Sequence, residues 1–429
     1  MLPMQSSERR LQALRGMRDI LPDEIPRWQR VEATLAEWMQ RYGYREIRTP
    51  IVESAELFYR GVGQETDAIG KEMYVFPDRS GELIALRPEL TAPVARAVGQ
   101  HELALASPLL RLWYYGPCFR YERPQKGRQR QFHQAGAECL GVALPDADVE
   151  IISLAWDILT SLLDHPAVSL HINTLGTVAE QNNYRTRLVE YLERYRDSLS
   201  TTSQQRLDTN PLRILDSKDT RDREIIEAAP RISDVLSTES RSHFDAVLEL
   251  LDMLDIPTIT DPYLVRGLDY YTHTVFEFRS NRLGAQDALG GGGRYDNLMA
   301  QVGGRPLPGV GFGLGIERII LAMEDRAASD SHWEPIVYVA AQQEFSAAMH
   351  QVTRSLRKEG IRCITDLQFR SLKAQLRQAD RLRCALCLII GWSAPVDSVI
   401  IKDMRNGEQL QLPNDPNAIS ATIRQLLVQ

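Results

Sequence analysis

No stretch of this 429-residue chain approaches the ~18 consecutive apolar residues that a membrane span requires. Its opening, MLPMQSSERRLQALRGMRD, lacks the continuous apolar core of a signal peptide. A cytoplasmic enzyme with no membrane partner is therefore expected. Cysteine is scarce as well, with five residues: Cys118, Cys139, Cys363, Cys384 and Cys387. An odd count at that density excludes a disulfide scaffold. Cys384-Ala-Leu-Cys387 has the spacing of half a zinc site, but no second pair exists and the segment runs on into Leu388-Ile389-Ile390. A buried strand is expected there, and no metal site is assigned. Positive charge is in deficit too, and the net −7, taken as a sum, argues against a nucleic-acid partner.

The distribution of charge says more than the sum. Between Phe345 and Arg383 stand nine Lys or Arg against three acids, and between Arg120 and Arg130 five against one. Two basic patches on an acidic protein suit a polyanion that touches selected surfaces, although solvated helix faces can look the same. The composition, 43% hydrophobic and 25% charged, is that of a globular protein, and the length exceeds one ordinary core, so two or three domains are expected.

Ile25, Trp28, Val31, Leu35, Trp38 and Met39 recur at three- and four-residue steps, which predicts an amphipathic helix over 24–42, stopped by Gly43. Residues 44–51 and 82–86 read as strands. Residues 108–121 and 130–142 read as a long hairpin whose charged loop, Glu122 to Gln129, stays in water. From 178 to 254 the pattern turns helical and polar, with a break at Asn210-Pro211. Strand-forming sequence resumes at Tyr263 and again over 274–278, so the helical stretch reads as an insertion. Polar residues 325–334 read as a linker. Beyond it, 335–341, 344–358, 361–365, 371–382, 385–391, 397–403 and 416–427 predict strand, helix, strand, helix, strand, strand and helix, a separate small α/β domain that holds the larger basic patch.

Three glycine-adjacent arginines close together suggest one anion-binding pocket. They lie in Arg266-Gly267-Leu268-Asp269-Tyr270-Tyr271, in Gly290-Gly291-Gly292-Gly293-Arg294-Tyr295-Asp296 and in Gly311-Phe312-Gly313-Leu314-Gly315-Ile316-Glu317-Arg318. Any one of them alone can be a strand end followed by a turn. The G-x-G-x-G spacing is also not a dinucleotide fingerprint. Together, with tyrosines beside two of the arginines, they suit an activated phosphate compound bound next to a small polar metabolite.

At this point the chain resembles the histidyl-tRNA synthetases, a class II aminoacyl-tRNA synthetase family, over nearly its whole length. Residues 42–53 around Pro50 are similar to motif 1. Phe119-Arg120-Tyr121-Glu122-Arg123-Pro124, the following loop and Gln131-Phe132-His133-Gln134-Ala135-Gly136-Ala137-Glu138 resemble motif 2, and Gly311 to Arg318 resembles motif 3. The histidine-type signals are Leu264 to Tyr271 and Gly292 to Asp296, with Asn210 to Asp216 in the insertion also similar.

The resemblance implies an α+β fold: an antiparallel sheet flanked by helices over 1–177 and 256–325 as the catalytic domain, a helical insertion over 178–255, and an anticodon-binding α/β domain over 334–429. It implies L-histidine, ATP with Mg²⁺, and tRNA(His) as ligands, and a homodimer built around motif 1. It implies catalytic Arg120 and Arg266, and ATP contacts from Arg120, Glu122, Arg128 and Arg318. Histidine would meet Glu89, Thr91, Gln134, Glu138, Arg266, Tyr270, Tyr271 and Tyr295. The tRNA acceptor end would meet Arg123 and Gln125, while His133 is expected to be structural rather than a general base. The chain departs from the family pattern at Leu90, where many members have glycine, at Gly313, where alanine is usual, and at Gly391-Trp392-Ser393, which lacks the acids common after that glycine. The competing reading is a non-catalytic, histidine-sensing regulatory subunit of ATP phosphoribosyltransferase. That reading would sacrifice the ATP-binding arginines and the basic tail domain, and here both stand.

Overall fold

The structure is a computed structural model that describes residues 11–63, 66–284, 287–323, 336–392 and 398–428. The expected linker, 325–334, lies outside the described residues, as does Ser393. The chain divides into two compact units, 1–326 and 327–429.

In the first unit the strands run in chain order as β1 (Arg45–Glu46), β2 (Val52–Ser54), β3 (Tyr74–Pro77), β4 (Leu83–Leu86), β5 (Leu110–Phe119), β6 (Gln131–Leu140), β7 (Val168–Thr174), β8 (Thr258–Thr260), β9 (Thr272–Ser280), β10 (Ala288–Arg294) and β11 (Gly309–Gly315). Eight of them form one sheet in the order β1-β5-β6-β11-β10-β9-β7-β8. Its six central strands are antiparallel, while the short edges β1 and β8 pair in parallel, so the sheet is mixed only at its rims. The expected strand over 44–51 is broken, with only Arg45–Glu46 joining the large sheet, and the chain then enters a second, three-stranded sheet, β2-β4-β3. Strand structure resumes at Thr258, ahead of the expected Tyr263.

Period-two alternation sorts the large sheet into two faces. Ala135, Ala137, Phe276, Phe278, Phe312 and Leu314 point to one side, where they meet the helices Ile25–Arg41, Pro145–Leu162 and Thr238–Met253. Burial of Trp28, Leu35, Ile151 and Ile158 contributes roughly 1.5–3 kcal/mol per large apolar side chain. The first helix ends in a Schellman motif: Gly43 takes φ +76°, its N–H donates to Gln40 O, and Tyr44 N–H donates to Met39 O. The opposite face carries the site.

The helical stretch after β7 starts on a capping box in which Thr177 and Glu180 bond each other's backbone N–H. Packing divides this stretch. Tyr184, Leu188, Leu207 and Ile226 form a cluster of their own, whereas Phe244, Val247 and Leu251 of the helix Thr238–Met253 join the core of the large sheet. The amphipathic period of that last helix cannot tell which core it enters.

The second unit contains β12 (Val337–Ala341), β13 (Cys363–Thr365), β14 (Leu386–Ile390), β15 (Ser398–Asp403) and β16 (Gln409–Pro413) in the order β13-β12-β14-β15-β16. The helices Ser346–Lys358, Leu372–Arg381 and Pro416–Val428 complete it. Every element expected there is present. The exposed edge strand β16 was not anticipated: Gln409-Leu410-Gln411-Leu412-Pro413 alternates only twice before a proline, too short a run to mark a strand. Cys384 and Cys387 are buried free thiols, and burial pushes Cys387 up to about 12, so they are packing residues. No described helix is long and apolar enough to cross a membrane.

Candidate functional site

The site face of the sheet is a floor cleared by glycine. A Cβ on Gly311 would stand 1.7 Å from Glu138 Oε2, one on Gly313 2.2 Å from Gln134 Nε2, and one on Gly293 2.9 Å from the Tyr271 ring. A Cβ on Gly291 would stand 3.0 Å from the Arg266 guanidinium. The two glycine-rich segments are neighbouring strands, with Gly291 paired to Gly313 and Gly293 to Gly311. Their alternate glycines leave room for side chains arriving from β6 and from the 266–271 loop, and the result is a cleft of about 700 Å³.

One end of the cleft is lined by Glu89, Thr91, Gln134, Tyr270, Tyr271 and Tyr295. Glu138 lies behind this wall, beneath Gly311 and only 1% exposed. Its Oε1 accepts from the Tyr114 hydroxyl (2.9 Å) and the Thr91 hydroxyl (2.8 Å), and its Oε2 accepts from the Tyr295 hydroxyl. Burial pushes the carboxyl up to about 7, and the three hydroxyl donors restrain the rise. Three of its roughly four acceptor positions are taken, leaving one. Glu89 accepts from the backbone N–H of Thr91 (2.6 Å) and Ala92 (2.9 Å) at the start of the helix Thr91–Gln100, and burial raises its pKa as well. Tyr270 packs against Tyr271 and Tyr295, with ring centroids 4.6 and 5.6 Å away.

The other end is cationic. Arg120, Arg128, Arg266 and Arg318 all line it, together with Glu122. Arg120 Nε donates to Pro88 O at 2.8 Å, and its guanidinium lies 5.3 Å from the centre of the Phe132 ring. Arg318 donates to Gly127 O (3.1 Å) and Ala288 O (2.8 Å), which fixes its fork toward the loop of the hairpin. Burial and the neighbouring Arg128 and Arg120 push the Arg318 pKa down, against the pull of Glu122. A guanidinium held among others of its kind favours an arriving anion. Glu122 balances only part of this charge, 3.3 Å from Arg128.

Arg294 corrects the sequence expectation of three arginines in one anion pocket. It is fully buried on the far side of its strand end, paired with Asp148 and Asp296 and donating to Val142 O and Leu144 O. Its donors are consumed by the fold, so it is a structural cross-link. His133 is held by the fold: its backbone N–H and Nδ1 both meet Glu317 at 3.0 Å, and its ring packs edge-on to Trp28. Arg123 and Gln125 are exposed on the hairpin loop and do not line the cleft.

Three groups escaped the sequence reading. Tyr114 hides in an ordinary-looking strand. Glu277 lines the cleft from β9, and its signal was available: an acid at the opposite parity to Phe276 and Phe278. The third group is a pair of side-chain amides that fasten the 264–271 loop, Asn173 donating to Leu264 O (3.1 Å) and Gln181 to Tyr271 O (2.9 Å), beside Asn210 of the family-like segment, which donates to Asp269 Oδ1 (3.1 Å).

Comparison with known proteins matches this architecture. The family described as Histidyl-tRNA synthetase matches residues 16–319, and the Anticodon binding domain matches 335–418. A Histidine--tRNA ligase from Acaryochloris marina is 46% identical over 400 residues, covering 93% of each chain. The chain belongs to the histidyl-tRNA synthetase family. The apo S. aureus histidyl-tRNA synthetase superposes with a TM-score of 0.78 at 34% identity, covering 97% of this chain and 100% of that one. A Bacillus halodurans protein described as an ATP phosphoribosyltransferase regulatory subunit/histidyl-tRNA synthetase reaches 0.63 at 25% identity, covering 87% and 97%. Family membership makes the chain an aminoacyl-tRNA synthetase, with a class II fold and a C-terminal anticodon-binding domain.

Proposed function

We propose that the cleft activates L-histidine with ATP, forming histidyl-adenylate and pyrophosphate, and then passes the histidine to the 3′ end of tRNA(His). One observation carries this reading: a buried, hydroxyl-bonded Glu138 at one end of the same cleft whose other end presents four arginines. The first end suits an imidazole, since a site built on hydrogen bonds rejects side chains that cannot make them. Tyr271, Tyr295 and Glu138 are assigned to the ring. Glu89, Thr91, Gln134 and Tyr270 are assigned to the amino and carboxylate side.

In the reaction a histidine carboxylate oxygen bonds to the α-phosphorus, and the bond to the bridging oxygen of the pyrophosphate group breaks. Arg120 and Arg266 are assigned to the α-phosphate and the attacking carboxylate, where preorganised charge lowers the barrier most. Arg128 and Arg318 are assigned to the terminal phosphate, and Glu122 to the adenine side. Among the described residues no group of three His, Cys, Asp or Glu forms a metal cage. Mg²⁺ fits as an ion carried on ATP phosphates, needing only one or two carboxylates, and Glu317 of the lining would hold it. Bound there, it would neutralise charge on the leaving pyrophosphate.

We assign 1–177 with 256–325 to catalysis, 178–255 to an insertion, 334–429 to anticodon binding, and the exposed Arg123 and Gln125 to the tRNA acceptor end. A homodimer and a cytoplasmic location complete the proposal. The purely regulatory reading is disfavoured because all four ATP-side arginines face the cleft. The test is pyrophosphate exchange into ATP with each amino acid, alongside tRNA charging. Exchange with L-histidine alone is expected. Alanine at both Arg123 and Gln125 should depress charging while leaving exchange intact. Exchange with another amino acid, or none with histidine, refutes the assignment.

A further inference from the structure

An acid in a pocket meant for phosphates needs a reason, and Glu277 has one in its surroundings. It sits on β9 between Gly291 of β10 and His171 of β7, directly paired with both. Its Oε2 accepts from Arg266 Nη1 at 2.7 Å, and its Oε1 accepts from Arg279 Nε at 2.7 Å. Each oxygen is thus committed to a different arginine, so the carboxylate cannot swing toward one without releasing the other.

Arg279 is itself anchored, 3.2 Å from His171 Nδ1 and 3.4 Å from Asp261 Oδ2. The chain of contacts therefore runs from the rim of the sheet to the cleft and ends on Arg266. There the guanidinium lies over Gly291, where a Cβ would come within 3.0 Å of it. Its buried Nε has no hydrogen-bond partner among the described residues. One edge of Arg266 is held by the protein and a donor is left for a ligand. The two flanking arginines also neutralise the Glu277 charge, which lets an acid stand beside an anion site.

We propose that Glu277 is a positioning residue for the activation step, aiming Arg266 at the reacting phosphate, with Arg279, His171 and Asp261 as its backing. This rests on the reading of Arg266 given above. A misplacement of about 1 Å in a catalytic group costs on the order of 10²-fold in rate, so Glu277→Gln, which keeps the shape but loses the charged grip, should lower kcat by about 10- to 100-fold. KM for histidine and for ATP should change by less than kcat does, because Arg266 stays in place with its charge and the other groups assigned to the two substrates are untouched.

The decisive comparison is histidine-dependent pyrophosphate exchange by Glu277→Gln, Arg266→Gln and the double variant. If Glu277 works through Arg266, the double variant is no slower than Arg266→Gln alone. Losses that multiply, or a Glu277→Gln kcat within about threefold of the parent, overturn the proposal. An Arg266→Gln kcat within about threefold of the parent instead overturns the reading of Arg266 itself. Should Glu277→Gln fail to fold, Arg279→Gln replaces it in the same cycle. It leaves the Arg266–Glu277 pair but removes its backing, and it should lower kcat with unchanged KM and no further loss when Arg266 is already Gln. An unchanged kcat there also overturns the proposal.

Discussion

Glu138 shows how far one residue's surroundings can set its chemistry. Burial pushes its carboxyl up to about 7 from an ordinary 4.5, so it titrates within the working range. The sign follows from linkage. A folded-state value above the unfolded one means that stability is full below about 4.5 and is lost as pH rises through about 7. Glu138→Gln removes this penalty and should gain roughly 2–3 kcal/mol relative to the parent on going from pH 5 to pH 8, read by thermal melting without ligand. Histidine binding should run the other way. The carboxylate form offers an acceptor to the ring, so KM for histidine should fall as pH rises through about 7 in the parent, and that step should be missing in Glu138→Gln. Matching KM profiles for the two proteins would show that Glu138 does not face the imidazole.

The paired strands β10 and β11 work as a unit, because on the cleft face Gly291 lies opposite Gly313 and Gly293 opposite Gly311. Not all of them are equally needed. At Gly311 an added Cβ would stand 2.6 Å from the Ala137 carbonyl as well as against Glu138, and backbone in mid-sheet cannot yield. At Gly313 its near contacts are all on the Gln134 side chain, the closest being the terminal amide nitrogen, which can turn away. Gly311→Ala should therefore abolish histidine-dependent exchange, whereas Gly313→Ala, which installs the residue usual in the family, should keep the fold and change KM for histidine by no more than about threefold, less than a lost hydrogen bond. Equal effects at the two positions would mean that the floor does not serve as described.

For the whole molecule, the small sheet β2-β4-β3 and the residue before it expose Ile51, Val52, Val75, Phe76 and Leu83, each between 36% and 53%. Apolar groups gathered in this way on one small sheet mark a protein interface more often than a solvated surface. They include Ile51 and Val52 of the motif 1 segment 42–53, around which the dimer is proposed, and a twofold interface would use the same patch from both chains. Light scattering of the parent should give twice the chain mass at micromolar concentration. Val52→Glu with Phe76→Glu should give a monomer. A parent monomer, or a charged double variant that stays dimeric, would place the interface elsewhere.

Sequence alone determined the elements whose cause is local. The helix Ile25–Arg41 follows from apolar spacing and Gly43, the hairpin β5–β6 from two apolar runs around a charged loop, and the second unit from its alternation of strand and helix. Motif order then named the family and most of the cleft lining. Which side of a strand end a residue faces is not local, and there the sequence ran out. Arg294 and Arg266 look alike beside their glycines, yet one is consumed by Asp148 and Asp296 and the other opens on the cleft. Glu277 lies in a strand of apolar core residues, and only pairing with β7 and β10 sets it between Arg266 and Arg279. The helix Thr238–Met253 has an apolar stripe that fits either core, and the sheet's aromatic face claims it. Tertiary structure decided these cases because burial and charge pairing depend on neighbours far away in sequence, and no spacing within a segment encodes those neighbours.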